Sequence, residues 1–463
     1  MVGTARLVSI RGILFSSLAL ALAAPPSAAE SDRVWPTSDG PRPLEATRDF
    51  HLPDLQLAAF LEDLLDENPE VRAAKEFSFS RLERVPQERS LPDPQLSYRL
   101  FLNTPETRVG PQDQAVEISQ GLPWFGKREL QAKRAGHLAT GTSWQARGLE
   151  RTLVAELKRS YFDAAYLQEA LAINADEASL LRRFEQIALT RYSTGEGIQQ
   201  TVIKVQTDIS RLADRDTALR QRLEATERRI AGLLGRPEAE IALRPITLSL
   251  PQLRYDKTAL EQQASETNPG VFATQQQVEA DRAWIRRRQR DAYPDFSVGL
   301  GYTDVGMRED AAGMVNPPEG NGKDIWTLAV KLNIPLYRHR IRAGVAEAEH
   351  SLLANQHALK RTQDDLRYAI QESLLRLESL DERARLYRDV LIPQAGESLA
   401  SAEAAYTTNR QSFLDLLDAE RVLFQVRLTY HRLLSDYWIS LADVERTIAR
   451  PFPEGPPQEE GTP

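Results

Sequence analysis

Two neighbouring segments of the sequence, residues 296–303 and 326–334, alternate strictly between apolar and polar or small side chains. A period of two places the apolar side chains of a strand on one face and the polar ones on the other. Each segment has about ten residues, the length that a tilted strand needs to cross a bilayer. Residues 295–335 are therefore predicted to form a membrane-crossing β-hairpin; a soluble hairpin packed on a core is the alternative.

A second, weaker hairpin is predicted over residues 95–121. Apolar side chains occupy alternate positions of residues 96–102, with one break at Phe101, and occur again at Val116 and Ile118. A bilayer offers no water to an open sheet edge, so strands that cross it must close into a barrel. Single-chain barrels begin at about eight strands, so four strands cannot close alone and several chains must share one barrel; three chains would give about twelve strands.

Long helices surround the two hairpins. Residues 127–191 contain no proline, and their apolar side chains recur at helical spacing. A helix of that length is roughly 100 Å long, which exceeds an ordinary domain and predicts a coiled-coil rod. The segment 193–197 interrupts it, a second helix is predicted over 198–234, and heptads predict a last helix over 413–448.

The order of helix, hairpin, long helix and helix occurs twice, which indicates an internal duplication. The Asn-Pro pair at 68–69 recurs at 268–269, and Tyr192 and Tyr406 each stand where two long helices meet. The predicted organisation is a signal peptide at 1–29, an extended tail at 30–53, a first repeat at 54–235, a linker or equatorial segment with short strands at 236–255, a second repeat at 256–450 and a disordered tail at 451–463.

The N-terminus and the composition limit the possible functions. Two arginines, an apolar stretch and small residues at 27–29 predict an exported protein. The chain has no cysteine, which excludes disulfides, thiolate metal sites and a lipid-modified N-terminal Cys, so no lipid anchor is expected. Its net charge is −8 and it has no basic stripe with interleaved aromatic residues, so no nucleic-acid partner is expected.

Two motifs carry a family resemblance. Residues 118–128 read Ile-Ser-Gln-Gly-Leu-Pro-Trp-Phe-Gly-Lys-Arg, and residues 412–419 read Ser-Phe-Leu-Asp-Leu-Leu-Asp-Ala. With the signal peptide and the duplication, they resemble the TolC family of outer-membrane efflux channels over nearly the whole mature chain. The Leu-Pro-Trp-Phe-Gly-Lys-Arg segment is similar to the CzcC-like cation-efflux branch of that family.

The resemblance implies a mainly α fold with a small β part. It implies a homotrimer whose subunits share one twelve-stranded transmembrane β-barrel in the outer membrane and one long coiled-coil α-barrel that spans into the periplasm. Such a trimer is expected to dock onto a periplasmic adaptor protein and an inner-membrane pump. It is expected to conduct substrates passively to the exterior, with heavy-metal cations as the leading substrate class.

The resemblance also places a periplasmic aperture near the last helix. Asp415 and Asp418 are spaced i, i+3 and share a helix face, so three copies are expected to form an acidic ring that favours cations. Arg410 and Gln411 fall where the family has polar residues linked to the gate. The alternative for the aspartates is an ordinary solvated face of a coiled coil.

Further positions are expected to serve the channel. The proposed adaptor-contact tips are Gly195, Glu196, Gly197, Thr408 and Asn409; the barrel lumen is assigned to Arg99, Glu117, Thr327, Lys331 and Asn333; and the aromatic girdle at the membrane boundary is assigned to Trp124, Phe125, Tyr293 and Tyr337.

No catalytic residue, cofactor or tight metal site is predicted, because the sequence lacks nucleophile, phosphate-binding and zinc-protease motifs. Two alternatives stay open at this point. One is a channel of the same fold that exports drugs, organic solutes or polypeptides. The other is a soluble periplasmic coiled-coil scaffold whose hairpins pack on globular cores.

Overall fold

The structure is a computed structural model, and it describes residues 42, 44, 50, 52–251, 255–408 and 410–452. The predicted signal peptide lies outside these residues, as do most of the N-terminal tail and the C-terminal tail after Phe452. The described part is mainly helical with one small sheet, which confirms the predicted fold class.

In the first half of the chain, short helices lead into a hairpin and two long helices follow it. The elements are α1 (Leu55–Glu67), α2 (Pro69–Leu82), α3 (Arg84–Arg89), β1 (Gln95–Leu100), β2 (Glu106–Thr107), β3 (Gly110–Leu122), α4 (Lys127–Ser193) and α5 (Gln199–Leu233).

The second half repeats this order, with a π-helical turn at Tyr387–Leu391 inside its long helix. That turn precedes Pro393, which has no N–H to donate within a helix. The elements are α6 (Lys257–Thr267), α7 (Pro269–Gln289), a 3₁₀ turn (Arg290–Ala292), β4 (Phe296–Val305), α8 (Ala311–Val315), β5 (Ile325–Leu332), α9 (Arg338–Leu386), α10 (Ile392–Thr407) and α11 (Phe413–Ile448).

The asparagines of the two Asn-Pro pairs form equivalent hydrogen bonds in the two halves of the chain. The Asn68 side chain accepts hydrogen bonds from backbone N–H groups at the start of α2, and Asn268 does so at the start of α7. Each asparagine amide also donates to the last turn of its half's final helix, at 2.8 Å to the Leu233 carbonyl and 3.0 Å to the Thr447 carbonyl. The duplication is therefore visible in contacts as well as in element order.

One antiparallel sheet joins the two halves, in the order β1-β3-β4-β5, with β2 paired to β3. Strands β3 and β4 come from different hairpins and pair along most of their length, from Leu122 with Phe296 to Gln112 with Val305. Strands β1 and β5 form the two edges, and each has one partner within the described chain.

The largest core lies where α1, α4, α9 and α11 meet. Leu57, Leu61 and Leu64 of α1 are fully buried there. A buried ion pair crosses this core, with 2.6 Å between Lys158 Nζ and Glu445 Oε2. A second core lies toward the far end of the long helices, at the junction of α4, α5, α10 and α11.

The predicted short strands at 236–255 are wrong for the part of that segment that the structure describes, residues 236–251 and 255. The chain there has no helix or strand and pairs with no strand of the described residues. Its backbone is held by side chains instead: the N–H groups of Arg244 and Ile246 donate to Gln56 Oε1 at 3.1 Å and Gln168 Oε1 at 3.0 Å. Its apolar side chains pack on the largest core.

None of the helices that the structure describes combines the length and the apolar character that a membrane-spanning helix requires.

Candidate functional site

One face of the sheet is apolar and exposed. The strand register places the even-numbered residues of all four long strands on this face. Leu328 and Val330 of β5 expose 73% and 69% of their surface. A surface of this extent is rarely left in contact with water, so it requires a lipid or protein neighbour. The exposed large members are Leu96, Tyr98, Leu100, Val116, Ile118, Val298, Leu300, Trp326, Leu328, Val330 and Leu332.

The opposite face carries the residues assigned to the lumen. Glu117 and Lys331 form an ion pair with 3.1 Å between Oε1 and Nζ, although β4 lies between their strands. Gly299 of β4 makes room for this pair, because a Cβ there would lie 3.1 Å from Glu117 Oε1. Arg99 and Thr327 share this face by register.

Asn333, also assigned to the lumen, follows the end of β5. Its side chain accepts a hydrogen bond from the Asp295 backbone N–H, and its own N–H donates to the Asp295 carbonyl at 3.0 Å. Asn333 and Asp295 therefore continue the β4–β5 pairing by one residue pair, at the end of the sheet next to the helices.

Three of the four residues assigned to the aromatic girdle lie together. Trp124 and Tyr293 stack with ring centroids 5.2 Å apart, and Trp124 contacts Phe125 edge-on at 5.8 Å. Tyr337 stands apart from them, beside His339 at the start of α9. The cluster marks the junction of strands and helices, while its role at a membrane boundary stays a prediction.

A buried lysine fixes this junction. Lys127 Nζ lies 2.8 Å from Asp295 Oδ1 and 3.2 Å from the Tyr293 carbonyl. The same carboxylate oxygen accepts a hydrogen bond from the Trp124 backbone N–H at 2.7 Å. Gly126 allows the sharp turn into α4, with a φ of 75° that favours glycine. The Trp-Phe-Gly-Lys motif thus fixes the orientation of α4 relative to the sheet.

The two helical tips lie side by side at the other end of the long helices. The Arg191 guanidinium stacks 4.3 Å from the Tyr406 ring centroid and donates to the Tyr406 carbonyl at 3.1 Å. Gly195 has a φ of 79°, and the N–H groups of Glu196 and Gly197 both donate to the Arg191 carbonyl. Thr408 follows the last residue of α10 as its C-cap. Asn409, the remaining residue predicted at the tips, lies outside the described residues.

The four residues assigned to the aperture are exposed at the start of α11: Arg410, Gln411, Asp415 and Asp418. Asp415 has a local structural role that the sequence analysis missed, although Ser-x-x-Asp is a signal for it. It forms a capping box with Ser412, whose backbone N–H and hydroxyl donate to its carboxylate at 3.1 and 2.9 Å. Asp418 has no comparable role among the described contacts, so a substitution there changes the charge without removing a helix cap.

A buried carboxyl group, also missed from the sequence, lies two residues further along. Glu420 is 3% exposed, and its Oε1 has no hydrogen-bond partner among the described residues. Burial, with the negative charge of Glu177 on α4, raises the pKa of Glu420 to about 8. Glu177 is itself paired with Arg215 of α5 at 3.0 Å. The heptad pattern of the last helix does not indicate that Glu420 is buried, because a glutamate beside a heptad core position is normally solvated.

Comparisons with known proteins agree with this architecture. The family described as outer membrane efflux protein matches residues 260–450. The chain is 24% identical to the cobalt-zinc-cadmium resistance protein CzcC of Cupriavidus metallidurans, over 79% of this chain and 83% of that protein. It is 24% identical to the cation efflux system protein CusC of Escherichia coli, over 81% and 82%.

Solved structures share the fold. The outer membrane protein VceC of Vibrio cholerae superposes with a TM-score of 0.71 at 16% identity, over 86% of this chain and 97% of that one. The chain therefore shares with that outer membrane protein a fold of long paired helices that carry a small sheet. Residues 260–450 thus match the family of outer membrane efflux proteins, and the chain as a whole is similar to CzcC and CusC.

Proposed function

We propose that the protein is the outer-membrane channel of a tripartite efflux system and conducts substrates passively to the exterior. The observation that carries the proposal is a four-stranded sheet with an exposed apolar face and two open edges. Strands in a bilayer must close into a barrel, and four strands are too few, so three copies are inferred to share twelve strands. An adaptor at the helical tips and an inner-membrane pump complete the system.

Heavy-metal cations are the proposed substrates. The support is the similarity to proteins named for cobalt-zinc-cadmium resistance and cation efflux. The charge at the tip agrees with it, because Asp418 is exposed where three copies would surround the aperture. Cations are inferred to pass through without a tight site, since a conduit must release what it admits.

Reconstitution tests the proposal directly. We expect the protein to need detergent for extraction from the outer-membrane fraction and to give stable conductance steps in planar bilayers. Release by osmotic shock without detergent, with no conductance, would instead indicate a soluble periplasmic scaffold.

Replacing Asp418 by Asn is expected to weaken block of the channel by a multivalent cation added from the periplasmic side. Three charges would be lost at a narrow mouth, so the blocking concentration should rise about three- to tenfold at low salt. Asp418→Asn is preferable to a change at Asp415, which would also remove a helix cap worth about 0.5–2 kcal/mol.

Asp214→Asn is the matched control, because Asp214 is an exposed aspartate of α5 far from the tip. It should leave block unchanged. Equal block in wild type, Asp418→Asn and Asp214→Asn would remove the aperture assignment while leaving the conduit itself intact.

A further inference from the structure

A cavity of about 530 Å³ lies where the apolar face of the sheet meets the helices. Leu91, Leu122, Trp124 and Phe296 contribute its apolar wall. Its size falls within the range of small-molecule sites in proteins, which is roughly 300–1,000 Å³. None of the residues assigned to aperture, tips or lumen lines it.

The cavity continues the apolar face. Leu122 and Phe296 are partners in the β3–β4 register and have the same orientation as Val298 and Leu300 further up the sheet. A molecule in the cavity would therefore be in contact with whatever covers that face. Under the proposed function, on which this inference rests, the cover is lipid, and the cavity lies at the level of the periplasmic leaflet.

The rim of the cavity is basic. Arg89 and Arg128 both line it, and Arg128 Nη1 donates to the Arg89 carbonyl at 2.8 Å, which holds the two residues together. Glu129 also lines it and lies 3.6 Å from Arg89, but both side chains are about two-thirds exposed, so this pair is weak. Arg290 does not line the cavity, but its guanidinium donates to the carbonyl of Phe125, which does.

This surplus of positive charge contrasts with the chain as a whole, whose net charge is −8. One guanidinium group can donate two parallel hydrogen bonds to a phosphate. Basic pockets beside an apolar surface bind anionic lipid headgroups. A tryptophan ring at the same level is typical of the bilayer interface.

We propose that this cavity binds an anionic phospholipid, with its phosphate between Arg89 and Arg128 and its upper acyl chain against Leu122 and Phe296. A bound lipid would fill the cavity between the end of the sheet and the start of α4. It would also seal the junction at which strands give way to helices.

Native mass spectrometry of the detergent-purified protein with added phosphatidylglycerol tests the site. Wild type should retain about one lipid per chain and should prefer phosphatidylglycerol to phosphatidylcholine. Arg89→Gln with Arg128→Gln should lower retention of phosphatidylglycerol at least tenfold. The double variant with lysine at both positions should fall in between, because it keeps the charge but loses paired hydrogen bonds.

The matched control is Arg338→Gln with Arg342→Gln. These arginines are exposed at the start of α9, near the same junction, and neither lines the cavity. The control should retain phosphatidylglycerol as wild type does. Millimolar inorganic phosphate should not displace the lipid; displacement would indicate a free-anion site. Equal retention in all variants, or no preference between the two lipids, would overturn the proposal.

Conductance separates this test from the proposed function. The Arg89→Gln, Arg128→Gln variant should still form conducting channels, because both residues line the cavity that continues the apolar face and not the polar face assigned to the lumen. Wild-type conductance without lipid preference refutes only the lipid site, whereas absence of wild-type conductance refutes the channel itself.

Discussion

An arginine at Leu328 is expected to prevent the protein from assembling in a membrane. Leu328 is 73% exposed on the apolar face and pairs with Leu300, near the middle of its strand. Arginine at the bilayer midplane of a barrel costs about 2–4 kcal/mol, and three copies would multiply this to roughly 6–12 kcal/mol per barrel. We expect the heat-sensitive oligomer band on gels and the bilayer conductance both to be lost.

Thr327→Arg is the matched control, since Thr327 is the preceding residue and is exposed on the opposite, polar face. An arginine there would enter a water-filled lumen and should be tolerated, with conductance altered but present. Equal loss in both variants would mean that the strand tolerates no bulk at all. Equal tolerance would mean that the apolar face does not meet lipid.

Glu420→Gln is expected to raise the stability of the protein above neutral pH. Burial, together with the charge of Glu177, raises the pKa of Glu420 to about 8, whereas the unfolded value is near 4.5. Between these values the folded state binds the extra proton, so wild-type stability should fall as pH rises from about 5 to 8. A shift of this size corresponds to about 2–5 kcal/mol per chain at pH 8.5, and glutamine avoids it.

The measurement is the apparent melting temperature of the purified protein from pH 5 to 9. The variant should show a shallower decline than wild type, and the two should converge near pH 5. Other charges facing Glu420 remain in the variant, among them Arg215 and Asp208 of α5 and Arg421 of α11, and the pKa of Glu177 is raised by burial too. Some pH dependence should therefore persist.

Asp418→Asn controls for a generic loss of charge from α11, because Asp418 is exposed and two residues away. It should leave the pH dependence of the melting temperature unchanged. Parallel curves for wild type and Glu420→Gln would contradict the buried position of this carboxyl group.

The sequence predicted an element correctly where the two faces of that element have different surroundings, because the side chains then repeat with the period of a strand or a helix. The strands at 296–303 and 326–334 have a period of two because one face is apolar and the other polar, and β4 and β5 lie at Phe296–Val305 and Ile325–Leu332. The last helix, predicted over 413–448 from its heptads, lies at Phe413–Ile448. In both cases, local repetition alone identifies the element.

The sequence failed where the outcome depended on a distant partner. Residues 246–250 alternate like a strand, but the backbone N–H groups of Arg244 and Ile246 donate to glutamine side chains instead of another strand. Glu420 is buried by helices that are remote in sequence. Arg89 and Arg128 are 39 residues apart, with no spacing rule to connect them. Such features need three-dimensional packing and leave no local signal.

Cysteine cross-linking between β1 and β5 tests the shared barrel most directly, because the natural chain has no cysteine. Ser97→Cys on β1 is combined in turn with a cysteine at Thr327, Ala329 or Lys331 on β5. The edges of a shared barrel must pair between copies, so at least one combination should give covalent species that stop at three chains under mild oxidation. The control combines Ser119→Cys with Gly299→Cys, two positions that pair within one chain, and should give no cross-linked dimer or trimer. Monomers alone in every combination, from a protein soluble without detergent, would contradict the account.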